Sequence, residues 1–150
     1  MIVLIILFAT FGASAGVNKL ISGDWQYVLS GNIAMFLMLC FTAAGHFKFS
    51  AGMEQMIPKF IPQKRELVLT TGLLEILAGV ALLFPALRQT TGLLLILFFI
   101  LILPANINAA IHHIDYQKAT FDGHGPEYLW FRIPMQALLI FWVWFFAVKS

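Results

Sequence analysis

The sequence predicts an all-α fold, a polytopic helical bundle embedded in a membrane, with five spans. Three observations predict it. Hydrophobic residues make up 61% of the 150 residues and charged ones only 11%, less than half of the roughly 25% charged residues of an ordinary soluble domain. Mean hydropathy is +0.89. The apolar residues are also gathered into five runs approaching the ~20 residues that cross a hydrocarbon core.

Fifteen Phe and four Trp add apolar area that so short a chain cannot hide. Soluble globular, disordered and disulfide-scaffold classes are thereby excluded, which leaves residues 1–150 as a single integral membrane domain. Net charge is +2, and the nine Lys and Arg are scattered along the chain, with only Lys64 and Arg65 adjacent. They make no phosphate-tracking patch, so nucleic acid is not a partner. The single cysteine, Cys40, sits in an apolar run and forms neither an intrachain disulfide nor a CxxC pair. Any redox chemistry here needs a cofactor or another subunit.

The five spans fall at about 2–20, 28–47, 67–84, 90–111 and 129–148. Asn18, Lys19 and Ser22-Gly23-Asp24 close the first. Lys48 to Glu66, with Pro58 and Pro62, separates the second from the third. Pro85 and Arg88 mark a tight turn before the fourth, and His112 to Pro126, with Gly123 and Gly125, precedes the fifth. The first run has a second reading. Ala13-Ser14-Ala15 is an A-x-A-like cleavage site behind an apolar run, the pattern of a secretory signal. No Lys or Arg precedes that run, which favours a retained span; cleavage would leave four.

Lys and Arg bias sets the orientation. Lys48, Lys59, Lys64, Arg65, Lys118 and Arg132 belong to one side, whereas Lys19, Arg88 and Lys149 belong to the other. Both long loops are therefore expected on the cytoplasmic side, with the amino terminus inside and the carboxyl terminus outside.

Ionisable groups within a span are costly and usually face the bundle interior or a wet cavity. Glu75 is the sharpest case, near the middle of the third span. Gly72 and Gly79, three before and four after it, share its helical face. Small residues there permit close helix approach or leave room for a ligand beside the carboxyl. Arg132 enters the fifth span in its first turn with Gln136 four residues on, and is a candidate partner for Glu75. Asn106 follows Pro104, which frees a backbone carbonyl. His46 ends the second span, with Thr42 one turn earlier. In the expected orientation His46, Asn106, Arg132 and Gln136 lie at one membrane face with Glu75 deeper, as a polar pocket open to the cytoplasmic half of the bundle. The structural alternatives are a Glu75–Arg132 ion pair pinning two spans, amide hydrogen bonds from Asn106 and Gln136, and an interfacial His46.

His112, His113, Asp115, His124 and Glu127 cluster in the last long loop, but their spacing matches no metal-ligand motif. They read as solvated loop residues, and no metal site is expected. Haem held by His46 with His112 or His113 is a further, less favoured arrangement. Tyr128 and Trp130 suit an interfacial belt, while Trp142 and Trp144 read as packing residues. No internal repeat is present, which argues against transport by a monomer.

Several runs together resemble the DoxX-like family of small integral membrane proteins. They are Ala44-Gly45-His46-Phe47 with Met56-Ile57-Pro58 and Pro62; Thr71-Gly72-Leu73-Leu74-Glu75-Ile76 with Gly79; and Leu82-Leu83-Phe84-Pro85 with Arg88. Pro104-Ala105-Asn106-Ile107 with Ala109, and Trp130 with Arg132-Ile133-Pro134-Met135-Gln136, complete the set. The resemblance covers about residues 29–144. It implies a four-helix core, here preceded by an amino-terminal helix, in a bacterial inner membrane. It also implies a membrane oxidoreductase system with a quinone connection, without assigning catalytic roles.

The expected function is thus a component of such a system, with an intramembrane pocket for a small quinone-like or amphipathic molecule. His46, Glu75, Asn106, Arg132, Gln136, Gly72 and Gly79 would form it. The expected partners are membrane lipid, other oxidoreductase subunits and further copies of the chain. The alternative is a non-catalytic membrane subunit or scaffold whose polar residues lock the helices.

Overall fold

The structure is a computed structural model that describes residues 2–150. Among the described residues there is no β-strand, only one isolated bridge between Asp115 and Thr120. Seven α-helices follow in order: α1 Ile2–Ser22, α2 Tyr27–Lys48, α3 Ser50–Met56, α4 Lys64–Leu82, α5 Pro85–Leu101, α6 Leu103–Ile111 and α7 Glu127–Val143. A π-helical turn, Trp144–Val148, extends α7.

By length and composition, four segments among the described residues suit a membrane crossing: Ile2–Ser22, Tyr27–Lys48, Pro85–Ile111 and Glu127–Val148. They are the helices of an integral membrane protein. The expected third span is missing from the set. Its helix, α4, has 19 residues, long enough at about 1.5 Å per residue for most of the hydrocarbon core. Lys64, Arg65, Glu66 and Glu75 make it too polar to qualify.

Helices α2 and α4 pack antiparallel along their lengths. The end of α2 meets the start of α4, where His46 lies against Gly72, and Phe36 meets Gly79 further along. The buried positions of α4 are Val68, Gly72, Glu75, Gly79 and Leu82, alternating steps of four and three that form one seam on the helix. A Cβ added at Gly72 would stand 2.8 Å from His46 Cβ, and one at Gly79 would stand 3.0 Å from Phe36 Cδ2. Both glycines therefore serve close helix approach. The expectation that their face leaves room for a ligand is corrected, because α2 occupies it.

The core is built from Leu7 of α1, Met35, Met38 and Leu39 of α2, Leu82 of α4, Leu95 and Phe99 of α5, and Leu139 and Val143 of α7. Trp142 joins it, donating its indole N–H to the Gly31 carbonyl at 3.0 Å and meeting Phe8 and Phe11 of α1 edge to face. Asn32, 1% exposed, donates at 2.7 Å to both the Val28 and Phe146 carbonyls. The latter bond ties α2 to the terminal π-helical turn. Helix α1 joins the bundle through Leu7, Ala15 and an Asn18–Ser30 hydrogen bond of 3.0 Å.

The long fourth run is broken at Ile102, between α5 and α6. Pro104 has no N–H to offer the carbonyl one turn earlier, and the chain passes from one helix to the next at that point. The two long loops meet at one end of the bundle. Asn108 donates to the Met56 carbonyl at 2.8 Å, Gln55 to the Ala119 carbonyl at 3.4 Å, and Phe49 packs edge-on against Tyr116.

Candidate functional site: a carboxyl at the α4–α5 groove

Glu75 is 5% exposed. Its carboxyl faces α2 through both oxygens. Oε2 accepts the Thr42 hydroxyl at 2.8 Å, and Oε1 lies 3.5 Å from His46 Nε2. The other nitrogen of His46, Nδ1, sits 2.9 Å from the Val68 carbonyl and 3.1 Å from Thr71 Oγ1. Thr71 donates its own proton to the same carbonyl at 2.8 Å. Local geometry explains the grouping. Thr42 and His46 are one turn apart on α2, while Val68, Thr71 and Glu75 follow at helical spacing on α4. Gly72 lets the two faces close.

This pairing replaces the expected partner of Glu75. Arg132 forms no ion pair among the described residues, and its buried Nε meets no hydrogen-bond acceptor.

The single polar pocket expected from the sequence resolves into separate groups. His46 and Glu75 come together between α2 and α4. Asn106, 2% exposed, accepts from the Tyr128 hydroxyl at 3.4 Å and donates to the Ile102 carbonyl at 3.3 Å. Gln136 donates to the Phe99 carbonyl at the end of α5, beside the break that Pro104 introduces. Neither amide touches Glu75. Tyr128, expected in an interfacial belt, turns its hydroxyl inward to Asn106, whereas Trp130 is 84% exposed.

Beside Glu75 a groove of about 410 Å³ runs between α4 and α5. Leu74, Ala78 and Ala81 form one wall and Leu94, Leu95 and Phe98 the other. The polar side chains that line it are Glu75 and Thr91 alone. Leu74 and Leu94, which line it, are exposed, so the groove opens to the surroundings of the bundle. Glu75 thus touches two environments, the hydrogen-bonded seam with α2 and the apolar groove. Thr91 and the groove walls were not singled out from the sequence. A Leu-rich helix gives no sign of which leucines flank a gap.

The loop histidines are engaged locally. His112 Nδ1 lies 2.9 Å from the Asn108 carbonyl, and His113 Nδ1 lies 3.3 Å from the Gly123 carbonyl. Asp115 faces Lys118 at 3.5 Å. Thr120 donates to Asp122, holding that carboxyl below its usual range. Among the described residues, no three His, Cys, Asp or Glu side chains are grouped so as to hold a metal ion. Both nitrogens of His46 are directed at Val68 and Glu75, an arrangement that leaves no lone pair for a haem iron.

Residues 35–147 match the family described as Domain of unknown function (DUF8561), and the chain belongs to that family. The match includes His46, Glu75 and the whole groove but not α1. No curated protein and no solved structure matches the chain.

Proposed function

We propose that this membrane protein binds a small quinone-like or amphipathic molecule in the α4–α5 groove, with the polar head at Glu75. The observation that carries the reading is a buried acidic residue, Glu75, lining an open groove whose other walls are apolar apart from Thr91. Ligand sites are typically mostly apolar concavities with a few placed polar groups, and an ionisable group within a membrane usually faces a partner or a cavity and marks a candidate functional site. A molecule dissolved in the bilayer would enter without crossing the headgroups. The DoxX-like resemblance adds the context of a membrane oxidoreductase system, with other subunits or further copies of the chain as partners.

The same reading gives the chain five spans, with α4 crossing beside α2. The contact between the 48–64 and 112–126 loops supports this, since an even number of crossings must then lie between them. A four-helix core, α2, α4, α5–α6 and α7, follows with α1 in front. The Lys and Arg bias supports a cytoplasmic side for both loops, and the DoxX-like resemblance supports a bacterial inner membrane.

A second reading, a non-catalytic subunit, is favoured by the Asn32, Gln136 and Trp142 bonds, which tie helices together without facing a cavity. Native mass spectrometry of the protein released gently from detergent separates the two. The binding reading expects a non-lipid adduct on the protein that is lost in Glu75→Gln. An adduct-free spectrum, or an adduct unchanged by the substitution, favours the subunit reading.

A further inference from the structure

The His46–Glu75 contact contains a countable proton. A backbone carbonyl only accepts, so the 2.9 Å approach of His46 Nδ1 to the Val68 carbonyl places a hydrogen on Nδ1. The opposite nitrogen, Nε2, then faces Glu75 Oε1 at 3.5 Å. With no cation in the groove, a bare nitrogen lone pair facing a bare carboxylate would leave a buried, uncompensated negative charge, and two protons would leave a buried positive one. One proton between the two atoms satisfies both. Whichever atom holds it, the pair is neutral overall, as burial demands.

Glu75 also lines the groove, and no cationic side chain does. An anionic head would find no counter-charge there. A neutral head would bind without disturbing the proton. A cationic head has a partner, the carboxylate that remains once the proton leaves. Exchange of one charge for the other keeps the buried site neutral.

We propose that the α4–α5 groove takes a lipophilic cation in one-for-one exchange for the proton shared by His46 and Glu75. In the exchange no covalent bond to carbon is made or broken. The proton departs from Nε2 or Oε1 to water, His46 remains neutral with Nδ1–H on Val68, and Thr42 continues to donate to Oε2 of the carboxylate. The inference rests on the groove being a ligand site and names the charge of its ligand. The titratable and charged groups around the pair are few. Helix α2 supplies His46, with Cys40 and the exposed Lys48 further off, and α7 supplies Arg132 and Tyr128. Helix α3 carries Glu54, α4 its own Lys64, Arg65 and Glu66 more than two turns before Glu75, and α5 only Arg88, which donates to the Leu82 carbonyl.

The test uses the full chain in non-ionic detergent with two probes of one shape and opposite charge, tetraphenylphosphonium and tetraphenylborate. The phosphonium is expected to bind with a Kd that falls about tenfold per pH unit until the proton is lost, then levels. About one proton should appear in weakly buffered solution per cation bound, and the borate should not bind. In Glu75→Gln phosphonium binding should disappear. In His46→Gln, where Glu75 alone holds the proton, binding should persist with its pH midpoint displaced. Equal binding of both probes, or phosphonium binding without pH dependence or proton release, overturns the exchange while leaving an apolar ligand groove in place. Binding of neither probe also overturns it, and the native mass spectrum of the unaltered protein then decides the ligand-site reading separately.

Discussion

His46 on α2 and Glu75 on α4 stand side by side inside the bundle, Nε2 3.5 Å from Oε1. Their contact crosses the seam between α2 and α4. A neutral pair sharing one proton predicts an asymmetry between two substitutions. Glu75→Gln keeps an acceptor for Thr42 and a donor for His46 Nε2, and should alter thermal stability in detergent by less than about 1 kcal/mol. Glu75→Leu strands both partners and should cost about 1–3 kcal/mol. Equal losses in the two variants would contradict the pairing.

The glycines predict a ranked series. Gly72→Ala sets a methyl 2.8 Å from His46 Cβ, where the helices themselves must part, and overpacking of that kind costs about 1–3 kcal/mol. Gly79→Ala meets the Phe36 ring at 3.0 Å and the Phe36 backbone only at 3.4 Å, and should cost less. Gly12→Ala meets nothing within 4 Å and should stabilise α1 by up to about 1 kcal/mol. Melting temperatures in that order, lowest for the Gly72 variant, are the expected outcome.

Arg132 separates the observed site from an ion-pair lock. With no carboxylate partner and an unbonded buried Nε, Arg132→Gln should leave the melting temperature unchanged or raise it, since an unsatisfied donor is removed. A fall as large as that of Glu75→Leu would restore the Glu75–Arg132 pair.

The interhelical amides predict small, independent effects. Asn32→Leu removes the bond to the Phe146 carbonyl, and Gln136→Leu the bond to the Phe99 carbonyl. Bonds of this kind within membranes average about 0.6 kcal/mol. The two sites share no partner, so the double variant should lose the sum of the single losses to within about 0.5 kcal/mol. Denaturation of the four proteins in mixed micelles measures it.

The helices were legible in the sequence because long, nearly uncharged apolar runs suit a hydrocarbon environment and little else. The face shared by Gly72, Glu75 and Gly79 was legible too, since three- and four-residue steps fix it. The partner of Glu75 was not. Formal charge points to Arg132, but Gly72 brings α2 close enough for His46 to take the place, and only packing reveals that. Helix α3 has seven residues and no apolar period to announce it. The groove depends on how α4 and α5 pack beside one another, a relation between two helices that neither one's sequence states. The expected pocket merged groups at one membrane level that the bundle distributes among separate seams.

The most direct test of the central claim fills the groove while leaving the pair alone. Ala81 lines the groove and takes no part in the hydrogen bonds of Thr42, His46 and Glu75. Native mass spectra of the protein and of Ala81→Phe should differ by one non-lipid adduct, present on the first and absent from the second, with the two melting temperatures alike. An adduct that survives Ala81→Phe unchanged would place the ligand elsewhere and contradict the groove as the site.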